Sequence, residues 1–278
     1  MRILNVIMLY AKILISYGYN AGGEQMGDNI KSKCCNEEYD VIKTEIPTKR
    51  KGYIVARKSS QDKFFEKIDK LCAELIQAEA EKVYAACVDK NVYIPNAEFQ
   101  TSNYTFKYEH EIDYLEVDLN VHNFPILQET ITLCNLTHEN VEDYLRIYNE
   151  TFYYVPNSAT YNYKDADRLL DEKGMFQAGF LQREGVKIGI FEISFEQEIP
   201  EIACIGILEN HRGQNMGRNL IYLLLTEIST LGYQKVGLRV STKNENAYHL
   251  YLKTGFEKVN TVSRWYFYDD KCNKKLRL

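Results

Sequence analysis

The strongest constraint on the fold is an apolar, strand-like run that passes through a short polar loop into a long helix. Residues 202–208 form a continuous apolar run of strand length. A helix is predicted over 216–231, with Gly232 as its stop and an apolar stripe of Leu220, Leu223, Leu224 and Ile228. A further strand is predicted at 235–240. One strand–helix–strand crossover among other strands predicts a mixed α/β (α+β) layer fold.

Periodic segments on both sides of this crossover predict more elements. Further strands are expected at 127–133, 176–182, 186–195, 256–259 and 264–268. Further helices are expected from Thr137, as an N-cap, and at 165–172 and 245–253. Glu184-Gly185 lies between two of the strands and predicts a hairpin turn.

The residues before Phe124-Pro125 predict a smaller α/β domain. Residues 24–51 are polar and charged, which is typical of a linker or loop. After them we expect a strand at 52–57, a helix at 61–79, a strand at 83–88 and two antiparallel strands over 103–119. The predicted domains are an extension and linker at 1–51, an N-terminal α/β domain at 52–124 and a larger domain at 125–278.

The first twenty residues are mostly apolar but do not predict a membrane span. Lys12 interrupts them, and a span needs about 20 uninterrupted apolar residues. Ala21-Gly22-Gly23 offers only a faint signal-peptide cleavage site. A packed helix, a membrane-surface segment and an extension ahead of a start at Met26 all remain open. We favour the first or the third.

Charge and cysteine content narrow the class of partner. The net charge of −5 argues against a nucleic-acid surface and suits a cationic acceptor. The seven cysteines show no CxxC pair and no His/Cys cluster, so we expect reduced thiols, no metal site and a cytoplasmic protein. The adjacent Cys34 and Cys35 have no neighbours that complete a metal site. Cys204 lies in an apolar strand, where a small core residue is expected.

The loop before the long helix has the features of an anion site. It contains Arg212 and Gly213, and Gly217 and Arg218 follow in the first helical turn. Backbone N–H groups at a helix start point to one spot, and the helix dipole adds partial positive charge, so a pyrophosphate fits there. An ordinary strand-to-helix turn with two exposed arginines remains an alternative. The loop matches neither GxxxxGK[ST] nor GxGxxG.

A second polar pattern follows the strand at 235–240. Asn244, Ala247 and Tyr251 have a spacing of three and then four, which brings them close to one face of a short helix. That face presents an amide, a methyl-sized gap and a phenol. With 22 tyrosines in the chain, a core role for Tyr251 is the alternative.

Together the two segments resemble the GNAT superfamily of N-acetyltransferases over residues 127–270. The first motif, Arg/Gln-x-x-Gly-x-Gly/Ala, appears as Arg212 to Gly217, with Asn215 where glycine is usual. Asparagine tolerates the left-handed conformation. The second motif is matched at every position, namely Asn244, Ala247, Tyr251, Gly255 and Phe256. The resemblance implies a mixed sheet, splayed between its fourth and fifth strands, that holds acetyl-CoA in the opening.

The resemblance also implies roles for individual residues. It assigns the backbone of Ile205, Gly206 and Ile207 to pantetheine. It assigns pyrophosphate to the backbone N–H groups of Arg212, Gly213, Gln214, Asn215, Met216, Gly217 and Arg218. Asn244 and Ala247 would contact the CoA arm, and Tyr251 would be the general acid for the leaving thiolate. Strand N–H groups around Ile207 would polarise the thioester carbonyl.

The general base has several candidates. Glu201 opens the strand that leads to Arg212, and some members of the family place a glutamate base at this distance. Glu192 and Glu196 are rivals, and a water relay would also serve. The expected reaction is direct attack of a primary amine on acetyl-CoA, without a metal. Its alternatives are an acyl-CoA sensor without turnover and an interaction module on the same fold.

The acceptor and the assembly stay open. Tyr153, Tyr154, Tyr161 and Tyr163 suggest an aromatic-lined acceptor pocket, although packing explains loop tyrosines equally well. The expected partners are acetyl-CoA and a small-molecule or peptide amine, without nucleic acid; a homodimer stays open. Residues 52–119 are hypothesised to be a truncated copy of the same fold without its phosphate loop.

Overall fold

The computed structural model describes six segments of the chain, namely residues 39–56, 61–87, 97–120, 130–155, 158–172 and 174–269. They belong to two compact units. The C-terminal unit contains 113–260, and the N-terminal unit contains 39–112 and 261–269. The expectations for the first twenty residues, for Cys34 and Cys35, and for the boundary at Phe124-Pro125 lie outside the described residues.

The first part of the described chain alternates short strands and helices. Its elements are β1 (Tyr39–Ile42), α1 (Ile46–Lys49), β2 (Lys51–Ala56), α2 (Gln61–Gln77), β3 (Lys82–Cys87), β4 (Glu98–Gln100) and β5 (Thr105–Asp118). The expectation of a linker is wrong for β1 and α1, which are too short to show a period. The two strands expected over 103–119 are one strand, since β5 continues through His110, whose side chain is buried.

The remaining elements follow the predicted order closely. They are β6 (Ile131–Asn135), α3 (Val141–Phe152), α4 (Tyr163–Asp171), β7 (Phe176–Arg183), β8 (Val186–Ser194), β9 (Glu201–Ile207), α5 (Met216–Thr230), β10 (Lys235–Ser241), α6 (Glu245–Lys253) and β11 (Glu257–Asp269). The two strands expected at 256–259 and 264–268 are the single strand β11. Asn260 and Thr261 resemble a turn in sequence, but the backbone stays extended there.

The N-terminal unit is built on a strand–helix–strand crossover. β2 and β3 are parallel and α2 connects them, while β1 pairs antiparallel with β2. Residues 264–269 of β11 pair antiparallel with β3. The core between this sheet and α2 includes Phe64, Ile68 and Leu75 of the helix. The unit is therefore α/β, as the sequence predicts.

The C-terminal unit contains a mixed sheet. Its strand order is β5, β10, β9, β8, β7, β6, where β5 contributes its residues from Asp113 onward. The pairs from β6 to β9 are antiparallel. β9 and β10 are parallel, and their ladder consists of one pair, Glu201 with Gly237. Since that pair lies at the start of β9, the remainder of β9 extends beyond the ladder, as expected for a sheet splayed between these strands.

Helices cover both faces of this sheet. Alternate residues of a strand point to opposite faces. Ile205 and Ile207 of β9 share a core with Leu220 and Leu224 of α5. A Cβ on Gly206 would instead lie 2.8 Å from Thr151 Cγ2 of α3. The sheet is thus flanked by α5 on one face and α3 on the other.

Two local predictions, the hairpin turn and the buried cysteine, are confirmed. Glu184 and Gly185 both have positive φ, 52° and 78°, which is the geometry of a tight hairpin turn between β7 and β8. Cys204 is a buried free thiol in β9.

Candidate functional site

The loop between β9 and α5 is closed by Arg212. Its Nε donates a hydrogen bond of 2.8 Å to the carbonyl of Ile207, at the end of β9. Its own backbone N–H donates to the carbonyl of Glu209 at 3.1 Å. Arg212 therefore fixes the path of the loop with both side chain and backbone, and its guanidinium keeps further N–H groups for a ligand.

Two left-handed residues then redirect the chain into α5. Gly213 has φ of 79°, and Asn215, the N-cap residue, has φ of 61° and ψ of 9°. Only glycine, and to a lesser degree asparagine and aspartate, adopt this conformation routinely. Asn215 thus takes the backbone geometry that glycine takes without strain.

The first turn of α5 presents backbone donors. The helical hydrogen bonds begin with the N–H of Asn219, which donates to the carbonyl of Asn215 at 3.0 Å. The N–H groups of Met216, Gly217 and Arg218 precede this first bond, as in the first turn of any helix. With the helix dipole behind them, they favour an anion.

These groups border a cleft of about 770 Å³ between α5 and α6. Its lining residues are Ile207, Arg212, Gly213, Asn215, Met216, Gly217, Arg218, Tyr222, Asn246, Ala247, His249, Leu250 and Lys253. The cleft thus brings together eight of the residues that the sequence predicts. Ile205, Gly206, Gln214, Asn244, Tyr251 and Glu201 are outside this lining.

The sequence analysis does not predict five of the residues that line the cleft. Tyr222 lies on α5, and Asn246, His249, Leu250 and Lys253 lie on α6. The α6 residues are spaced by three, one and three, which places them on one side of the helix. This helical spacing could have predicted that the four residues share the face of α6 that borders the cleft. Gly217 permits the approach of the two helices, since a Cβ there would be 3.2 Å from Leu250 Cδ2.

The cleft has positive charge although the chain as a whole is acidic. Arg212, Arg218 and Lys253 line it, whereas the chain carries a net charge of −5. Among the described residues that line the cleft, none carries a carboxylate. The cleft therefore suits an anionic ligand.

Asn244 and Asp113 hold α6 in place. The Asn244 side chain caps the helix by accepting a hydrogen bond from the N–H of Ala247 at 3.4 Å. The Tyr248 hydroxyl donates to Asp113 Oδ2 at 2.9 Å, and Lys258 Nζ lies 2.8 Å from Asp113 Oδ1. The described contact of Asn244 is thus a structural cap.

Tyr251 of α6 is buried, with 1% of its surface exposed. Its ring packs edge-on against Phe256, with 5.9 Å between the centroids. Burial, with a smaller contribution from the Cys204 thiol of β9, raises the pKa of Tyr251 well above its ordinary value. The phenol therefore stays protonated at neutral pH.

The three candidate bases differ in environment. Glu201 begins β9 and forms an ion pair with Arg239, with Nη1 2.5 Å from Oε2. Burial raises the pKa of Glu201, Arg239 lowers it in part, and the nearby Glu196 raises it again. Glu192 is fully buried and accepts a hydrogen bond from the Tyr161 hydroxyl at 3.3 Å. Glu196 is exposed and accepts one from Ser194 at 3.2 Å.

The four tyrosines expected around an acceptor do not share one environment. Tyr161 is a core residue whose ring stacks on Tyr148 with 3.8 Å between centroids. Tyr153 and Tyr154 are exposed and contact each other edge-on at 4.8 Å. Tyr163 is exposed, and its hydroxyl donates to Glu142 at 3.3 Å. Tyr161 therefore does not share an environment with the three exposed tyrosines.

No three His, Cys, Asp or Glu side chains lie close enough together to bind a metal ion in the described segments. Among the described helices, none has the length and apolarity needed to cross a bilayer.

The family model of the acetyltransferase (GNAT) family matches residues 141–256. A comparison with curated proteins gives no significant match.

Among solved structures, a GCN5-related N-acetyltransferase from Sphaerobacter thermophilus aligns with a TM-score of 0.56 and 14% identity, covering 82% of this chain and 75% of its own. One from Kribbella flavida aligns with a TM-score of 0.51 and 15% identity, over 78% and 81%. A conserved protein of unknown function from Staphylococcus epidermidis reaches 0.55 and 12%, over 90% and 95%. At these identities the likeness shows a shared fold.

Proposed function

We propose that this chain is an acetyl-CoA-dependent N-acetyltransferase that acts on a primary amine, and the match of residues 141–256 to the acetyltransferase (GNAT) family model supports this. The observation that carries the proposal is the cationic cleft at the start of α5. The left-handed residues Gly213 and Asn215 line this cleft together with Met216, Gly217 and Arg218 of the first helical turn. These features match the chemistry of a pyrophosphate-containing donor.

The donor site combines the cleft and the edge of β9. The N–H groups of Met216, Gly217 and Arg218 bind the pyrophosphate, with Arg212 and Arg218 adding charge. Pantetheine follows the β9 backbone at 205–207, where the strand extends beyond its ladder with β10. Ala247 leaves space beside the CoA arm. Acetyl-CoA supplies an activated acyl thioester when it is bound.

Two residues handle protons in the proposed reaction. Glu201, directly or through a water molecule, takes the proton that the amine nitrogen loses as the N–C bond forms. Burial raises the pKa of Glu201, which makes the carboxylate a better base near neutral pH. Tyr251 donates its proton to the sulfur as the C–S bond breaks, and its burial keeps the phenol protonated until then.

The test is release of free CoA thiol from acetyl-CoA with a panel of amines, aminoglycosides and peptide N-termini. We expect turnover with at least one acceptor, and a loss of about 10²–10⁴-fold in kcat for Glu201→Gln and for Tyr251→Phe. Tyr53→Phe in the N-terminal unit is the matched control. Its buried hydroxyl has no hydrogen-bond partner in the described structure, so its loss should leave kcat unchanged.

Isothermal titration with CoA separates the alternatives. Binding without turnover in the whole panel supports a regulatory acyl-CoA-binding module. If CoA neither binds nor reacts, the proposed function is wrong.

A further inference from the structure

An ion pair between Arg239 and Glu201 connects β10 to the start of β9. Arg239 Nη1 lies 2.5 Å from Glu201 Oε2, and the two side chains are 19% and 11% exposed. Glu201 is in register with Gly237, two residues before Arg239, so Arg239 and Gly237 point to the same face of β10. The strand register thus places the Arg239 guanidinium beside the Glu201 carboxylate.

The ring of Tyr114 of β5 contacts the Arg239 guanidinium. Its ring centroid is 5.7 Å from Arg239 Cζ, within the range of a cation–π contact. A side chain at Gly237 would collide with the Tyr114 hydroxyl and ring. The absence of a Cβ at Gly237 therefore leaves the space in which Tyr114 lies beside Arg239.

Among the described residues, two charged groups act on Glu201, namely Arg239 and Glu196. Glu196, in the connection from β8, acts on Glu201 as a like charge. Glu116 on β5 is 3.2 Å from Lys235 Nζ, a surface pair with half of the lysine exposed. Arg239 is consequently the positive charge that counters the burial of Glu201 among the groups acting on it.

From this geometry we propose that Arg239 is a positioning residue that orients the Glu201 carboxylate and sets the pH range in which it accepts a proton. The proposal rests on the function proposed above, with Glu201 as base. Burial raises the pKa of Glu201 and Arg239 opposes that rise. Without Arg239 the pKa rises further, and the carboxylate becomes protonated at a pH where the intact pair remains ionised.

The experiment is the pH dependence of kcat/KM for the full chain and three variants. For Arg239→Gln we expect the acid limb to move to higher pH by about 1–3 units, the usual effect of removing a close opposite charge. Arg239→Lys keeps the charge and should restore the limb in part. Lys235→Gln, which removes a neighbouring cation that pairs with Glu116, should leave the limb in place.

Each other outcome is decisive. If the acid limb does not move in Arg239→Gln while Glu201→Gln is inactive, the role of Arg239 is refuted and the proposed function stands. If no amine is acetylated, the proposed function fails, and the carboxyl ¹³C titration of Glu201 by NMR then decides the inference alone. The Glu201 resonance is identified by its absence in Glu201→Gln, and it must titrate at higher pH in Arg239→Gln. Should that variant not fold, the same titration is made in Arg239→Lys, where Glu201 should titrate at a pH somewhat above that of the native chain; an unchanged titration would refute the positioning role.

Discussion

Replacing Asn215 by alanine and by glycine measures how much the left-handed turn before α5 depends on its side chain. With φ of 61° and ψ of 9°, this residue lies in the region that costs an ordinary L-residue about 1–2 kcal/mol. Glycine has no such cost, and asparagine has a reduced one. We therefore expect Asn215→Ala to lower the free energy of unfolding by about 1 kcal/mol, and Asn215→Gly to leave it near that of the native chain.

The same substitution should weaken CoA binding. If alanine forces the loop out of the left-handed conformation, the N–H groups of Met216 to Arg218 lose their common direction. A penalty of about 1 kcal/mol on the bound state raises Kd about 5-fold, since 1.4 kcal/mol corresponds to tenfold. Urea unfolding followed by circular dichroism gives the first quantity, and isothermal titration with CoA gives the second.

Two controls separate backbone strain from loss of an amide. Gly213→Ala introduces a Cβ at φ of 79° with no atom within 4 Å, so it adds strain alone and should act in the same direction. Asn219→Ala removes an amide inside α5, where alanine is the better helix former, and should not destabilise. Equal stabilities for the alanine and glycine variants of Asn215 would refute the reasoning.

Other predictions test packing and pH dependence. In Gly206→Ala the new Cβ would lie 2.8 Å from Thr151 Cγ2, and overpacking of this kind should lower the free energy of unfolding by about 1–3 kcal/mol in urea. For Asp69, burial alone would raise its pKa, but hydrogen bonds from Thr101 and Asn103 outweigh burial and lower it below the ordinary value of 3.8. Its contribution to stability is therefore present above pH 3.8 and lost as the pH falls through the lowered pKa. The urea midpoint of Asp69→Asn should fall less steeply than the native one as the pH is lowered below about 4, and parallel curves would contradict this.

Local signals account for the parts that the sequence predicted well. The bounds of α6 were predicted because Asn244 caps its start and Gly255, with φ of 95°, follows its end. The loop at Arg212 to Gly217 was recognisable because glycine and asparagine mark a left-handed path. These features depend on residues close together in sequence.

The parts that escaped prediction depend on distant contacts. The register of Glu201 with Gly237, and hence the pairing of Glu201 with Arg239, joins residues on two strands separated by α5. Local periodicity does not encode such a pairing. The continuity of β5 is similar, because charged residues around His110 interrupt the apolar pattern while that side chain is buried.

The position of β5 beside β10 has a consequence for dissecting this protein. Leu115 and Val117 of β5 belong to the core of the C-terminal unit, and the N–H of Leu119 donates to the carbonyl of Gln234 at 2.8 Å. A fragment that starts at residue 125 lacks these side chains and leaves the edge of β10 exposed. Such an edge recruits a strand from another molecule. The C-terminal unit is therefore not transplantable as 125–278, and a graft of it onto another protein must begin at Asp113 or earlier.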